Sequence, residues 1–231
     1  MIDKPVIQEG KFKPVQQDGK LKLKEAYFYL QKNNRNPDGS DNMSKAGTES
    51  AKKYGRFNQC FVSTTTACQN QIVDALIKKG FKPSNPNLYI DEMATLLTLL
   101  GSNKDLWPKP DRFLWENHRK FVETNIKALF SGLGFELAFQ LAGSNYRKVI
   151  RKSIENGFQA WLSIKTPSGS GHLISVIGES DEGIDVCDPA GDYHKGYGDL
   201  ANVDGRDIFY DNETLKKMIV QDRIVMTFKI K

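Results

Sequence analysis

The sequence lacks several things, and each absence closes a possibility. Residues 1–10 contain no apolar core, so no signal peptide is evident and synthesis in the cytoplasm is expected. No run approaches the roughly 20 apolar residues of a membrane helix, so no membrane span is expected. Cysteine is scarce: Cys60, Cys68 and Cys187 include no CxxC pair and no even set. That argues against a disulfide framework and for a reducing compartment, with a role for at least one thiol. A closed zinc site lacks its fourth ligand and its short spacings, so no metal is expected. A strong charge of one sign is also missing, since 33 basic against 28 acidic side chains leave +5. So mild an excess suits a solvated surface or a loose affinity for an anionic one, and no nucleic-acid partner is expected.

What is present is an ordinary globular composition, 39% hydrophobic and 26% charged over 231 residues, enough for one large domain with a sizeable core. Residues 1–25 are polar and weakly alternating, an N-terminal arm or edge strand, and 26–31 form the first apolar run, a strand or turn of the core. From 32 to 55 Asn, Asp, Ser, Gly and Lys dominate, as in a flexible insertion or a flap. Residues 57–79 read as a helix with Val62, Ala67, Ile72, Val73, Leu76 and Ile77 roughly on one face, stopped by Gly80. Further helices are expected over 90–100, 111–130 and 146–155, and the stretch 81–145 reads as a helical insertion. After Gly157 the pattern turns to strands: 158–164, a hairpin, 208–210 and 224–230, with a short helix over 212–218. Helices first and antiparallel strands afterwards is an α+β arrangement.

The hairpin carries the chemistry. His172 opens its first strand, Leu173 to Ile177 form the body, Asp181 to Gly183 turn, and Ile184 to Cys187 return to Asp188-Pro189. Proline ends the ladder because it has no N–H to donate. The start of one strand then lies beside the end of the other, so His172 and Asp188 are expected side by side. An imidazole beside a carboxylate is half of a nucleophilic set. Cys60, in the first turn of the 57–79 helix, is the candidate nucleophile, because exposed helix N–H groups and a neighbouring imidazolium both favour thiolate. Cys68 and Cys187 read as buried thiols. His118, in a charged helical stretch, and His194, in the loop after Asp192, are rivals for the base.

Together these residues resemble the papain-like cysteine peptidases of the bacteriocin-leader-peptidase (double-glycine peptidase) type and their phage and bacterial relatives. The likeness lies in the Asn156-Gly157 helix end, the Gly171-to-Gly178 strand with His172, the Val186-to-Tyr193 stretch with Asp188-Pro189, and Cys60 followed by Ser63, Thr64, Thr65 and Thr66. Phe61 departs from the Gly or Asn that often follows the family's cysteine. The resemblance implies a papain-like fold: a helical half with the nucleophile helix, packed on an antiparallel sheet. It implies a Cys60–His172–Asp188 set, no cofactor, and a peptide or peptidoglycan substrate. It also implies a glutamine whose amide helps hold the oxyanion. Gln31, in an aromatic-x-x-Gln-x-Asn segment, is preferred for this, with Gln59 as the alternative. Action at a bacterial cell wall would follow lysis, injection or delivery by another protein. Two other uses stay open, a catalytically silent structural or binding module and a transglutaminase-like acyltransferase; the oligomeric state is open too.

Overall fold

The computed structural model describes residues 15–17, 19–24, 26–31, 60–85, 88–90, 92, 95, 112–141, 145–166, 171–197, 202, 204–218 and 224–231. Within them the chain is mixed α+β. The elements run β1 (Val15–Gln17), β2 (Lys20–Lys22), α1 (Cys60–Lys78), α2 (Arg112–Leu129), β3 (Phe135–Leu141), α3 (Tyr146–Glu155), β4 (Ala160–Lys165), β5 (Gly171–Ser180), β6 (Gly183–Cys187), β7 (Ile208–Asp211), α4 (Asn212–Met218) and β8 (Ile224–Ile230). All described strand pairs are antiparallel, in the order β1-β2-β5-β4-β8-β3, with β6 joining β5 and β7 joining β6.

β5 is the hub. One of its edges takes β4 from Gly171 to Val176 and then β2 at Gly178 and Glu179, while β6 pairs from Ser175 to Ser180. Alternate residues of β4, β5 and β8 feed two separate cores, as period-2 side chains must. Trp161, Leu173, Met226 and Phe228 join α1 and α2 in one; Leu162, Ile174, Val176 and Val225 join Ile150, Ile154, Leu215 and Met218 of α3 and α4 in the other. With both faces covered, the central strands are buried nearly throughout and read as continuous apolar runs. The second layer is also tied by charge: Arg147 and Arg151, one turn apart on α3, both reach the buried carboxylate of Glu179, at 3.0 and 2.6 Å.

Three differences from the sequence expectations follow. The 57–79 helix does not show one apolar face and one wet one: Phe61 to Leu76 are all buried. A helix enclosed on every side must turn its polar side chains to partners within the fold, and those of α1 reach both backbone, as Thr64 does at Leu173, and side chains, as Asp74 does at Tyr27. The 81–145 stretch is not helical alone. It contains α2, but Phe135–Leu141 is a strand paired with β8 over seven residues, and its alternation of Phe135, Leu137, Phe139 and Leu141 with smaller or polar residues is a strand period. Residues 26–31 lie in the core without forming a regular strand, with Tyr27 and Leu30 buried. The 32–55 insertion and most of the 90–100 helix lie outside the described residues, as do the first 14 residues of the arm; β1 and β2 form a sheet edge, as one of the two readings expected.

Candidate active site

The site grows out of a ladder that stops early. β5 and β6 pair in the register Ser175↔Cys187, so the next hydrogen-bonded step would set Leu173 against Pro189. Pro189 has no N–H, and the ladder ends there. Both backbone groups of Leu173 are instead taken by α1. Its N–H donates to the Cys60 sulfur at 3.3 Å, and its carbonyl accepts from the Thr64 hydroxyl at 2.9 Å. Cys60 and Thr64 are four apart and so share a helix face. The Pro189 carbonyl accepts the N–H of Gln31 at 2.9 Å. One proline thus releases a strand edge to α1 on one side and to the 26–31 segment on the other.

His172 stands one residue before Leu173. Its Nε2 lies 2.8 Å from Asp188 Oδ1, and the ring shares a further hydrogen bond with Cys60, for which Nδ1 is the nitrogen left. The structure therefore brings Cys60, His172 and Asp188 into one row from three places in the sequence. Cys60 is half-buried at the rim of the first core, whereas the His172 and Asp188 side chains are 4% and 0% exposed. Burial alone would lower the His172 pKa. The Asp188 carboxylate and the Cys60 sulfur outweigh it and push it up to about 10. That shift favours the imidazolium form of a ring held between two partners.

Asp188 is enclosed by donors. Besides His172, Oδ1 accepts the Ala190 N–H at 2.9 Å, while Oδ2 accepts the hydroxyls of Tyr197 at 2.5 Å and Tyr210 at 3.0 Å. Burial and the nearby carboxylate both hold these tyrosines protonated, raising their pKa well above the ordinary phenol value. Tyr210 in turn accepts the Tyr193 N–H, and the Tyr197 ring leans on the His172 ring with centroids 5.0 Å apart. A fully buried carboxylate with four donors is fixed in rotamer. Two glycines allow the loop to pack this closely. Gly205 presses its backbone onto the Asp188 peptide, where any Cβ would collide with the Asp188 carbonyl, and Gly191 turns away at φ +101°.

The other sequence candidates fall elsewhere. His194 is exposed on a single 3-10 turn, its N–H bonded to Asp192 and its ring beside Tyr193 and Tyr210. The side chain of His118 and the whole of Gln59 lie outside the described residues. Gln31 is placed next to Asp188-Pro189 through its backbone. Cys68 and Cys187 are sealed in the interior, and burial pushes both thiols up, Cys187 to about 12. Thr64, Tyr197 and the backbone of Leu173 escaped the sequence reading. Thr64 was visible only as one of a run of hydroxyl residues, Ser63 to Thr66, and its i, i+4 spacing from Cys60 was the available signal. Among the described residues no group of three or more His, Cys, Asp or Glu is arranged to hold a metal ion, and no helix is long and apolar enough to cross a membrane. No family model matches the chain, and no curated protein matches it.

Proposed function

We propose that the chain is a cysteine hydrolase of papain-like architecture that opens an amide or peptide bond through a thioester. One observation carries the reading: the His172 ring lies between the Asp188 carboxylate and the Cys60 sulfur, buried and biased toward imidazolium. A central helix bearing the sulfur, against an antiparallel sheet bearing base and acid, is the division of labour the papain-like resemblance implies. The Cys60 thiolate attacks the substrate carbonyl carbon, forming a C–S bond and an oxyanion. The Cys60 N–H and the side-chain amide of Gln31, or of Gln59, receive the negative charge. His172 passes its proton to the leaving nitrogen as the C–N bond breaks, giving a thioester and free amine. Water then adds to the thioester and yields its proton to His172, and the C–S bond breaks to release the acid. Asp188 keeps the ring in the required tautomer throughout.

The substrate is a peptide, with bacterial peptidoglycan or a leader peptide the leading choices. This assignment rests on the resemblance and on the mild positive charge that suits an anionic cell wall. The test is digestion of purified peptidoglycan and of a peptide library, each followed by mass spectrometry, with Cys60→Ala as control. Cleavage products that appear with wild type and vanish with the variant support the reading. A Cys60→Ala protein that cleaves as well as wild type overturns it.

A further inference from the structure

The contact between Thr64 and Leu173 has a role the catalytic trio does not explain. Where a strand partner is missing, an open edge is normally left to water or capped by any convenient polar group. Here the cap comes from the nucleophile's own helix. Thr64 is 2% exposed, its hydroxyl donates to the Leu173 carbonyl at 2.9 Å, and the same residue's N–H donates to Cys60 one turn earlier on the same helix face. The two bonds grip one residue from one side. Because Leu173 directly follows His172, the grip fixes the height of the sulfur along β5 relative to the imidazole. Apolar packing of α1 cannot do this alone, since a helix can slide along an apolar surface without losing buried area, whereas a pair of directed hydrogen bonds sets the register.

We infer that Thr64 is a positioning residue that, through the Leu173 peptide, sets the sulfur of Cys60 against the ring of His172. The inference rests on the proposed Cys60–His172 pairing but can fail separately from it. No substrate is needed for the test, because iodoacetamide reads the reactivity of Cys60 directly, and peptide mass spectrometry separates it from the two buried thiols. Thr64→Val keeps the shape and removes the donor. Its Cys60 alkylation rate at neutral pH is expected to fall roughly tenfold, the factor a lost hydrogen bond commands. Thr64→Ser restores the rate to within about twofold of wild type, while Thr64→Ala, which also lacks the methyl group but has no hydroxyl, stays slow. Rates are compared per folded molecule after thermal melts. If Thr64→Val does not fold, the Ser and Ala variants, which differ only in the hydroxyl, decide the matter. Equal rates for Ser and Ala, or a wild-type rate for Val, overturn the role of Thr64. His172→Gln, run beside them, addresses the pairing itself: wild-type reactivity there sinks the proposed function, whereas slow His172→Gln with fast Thr64→Val sinks only this inference.

Discussion

The two ends of α1 use the same device for different ends. At the first turn Cys60 and Thr64 grip both backbone groups of Leu173. Ten residues on, Asn70 clasps both backbone groups of Ile90, through its amide nitrogen and oxygen at 2.9 and 3.1 Å, while Asp74, one turn later, takes the hydroxyls of Tyr27 and Tyr89. Each end also involves a buried carboxylate holding two tyrosines, Asp188 beside the first and Asp74 on the second. Burial and Asp74 push Tyr89 up to about 12, much as burial and Asp188 raise Tyr197 and Tyr210. What separates the ends is a single imidazole. Without one, a buried carboxylate with tyrosines is a fastener; with one, it also orients a titratable ring. A buried, fully bonded acid is therefore a weak sign of chemistry, and its partners decide.

That contrast can be broken most forcefully at the sulfur and the ring. Cys60→Ala or His172→Ala should cut turnover by on the order of 10⁵–10⁶ while leaving the fold in place, the scale seen when a member of a nucleophilic unit is removed. Turnover assays and thermal melts on the same samples check this, and an equal collapse of stability would make these core residues instead. The two acids supply the next test. Asp188→Asn should lower turnover by on the order of 10²–10⁴ with partial activity retained, since the carboxylate orients without reacting. Asp74→Asn should leave turnover per folded molecule unchanged but cost about 2–3 kcal/mol in urea unfolding, because bonds to a buried charge are weakened. The reverse pattern would erase the distinction drawn between the two ends.

The thiols sharpen the same point. Cys60 should react with iodoacetamide at least about thirtyfold faster than Cys68 or Cys187 near neutral pH, because it is half-buried beside the His172 ring while burial pushes the other two thiols up. Comparable labelling of all three in the folded protein would remove the case for activation. The smallest effect is a slope. His172 has a folded pKa of about 10 against an ordinary 6.5, so its ion pairing stabilises the fold in full below about 6.5 and is lost as pH rises toward about 10. His172→Gln should therefore lose most relative to wild type at the acid end of that window and progressively less toward its alkaline end. Urea melts across the range would show it, and a stability gap constant with pH would contradict the ion pair.

Much of this was legible before any coordinates. The bounds of α3, α4 and β8 follow from their periodicity, and the hairpin follows from an apolar run, an acidic turn and a proline. That hairpin reading also sets His172 beside Asp188, because register is fixed once turn and ladder end are fixed. β3 is hard to see in the sequence because its short alternating run follows directly on helical periods. The enclosure of α1 was hidden for a different reason. Its Ser, Thr, Gln and Asn side chains look like a wet face, and only the tertiary fold reveals that several of them, Thr64 and Gln71 among them, meet backbone groups far along the chain. The bond from Thr64 to Leu173, 109 positions away, belongs to the same class, since a hydrogen bond over that distance leaves no local period to read.

Those distances have a consequence for how the chemistry comes into being. Cys60 and Leu173 are separated by 113 positions. On the ribosome, the helix bearing the sulfur emerges long before the strand that will grip it, so an unfinished chain carries an ordinary thiol. The contacts of Cys60 with Leu173 and His172 form only when the late hairpin closes on the early helix, a slow, long-range step. Fragments ending before the hairpin lack Leu173, His172 and Asp188 and so cannot assemble the row.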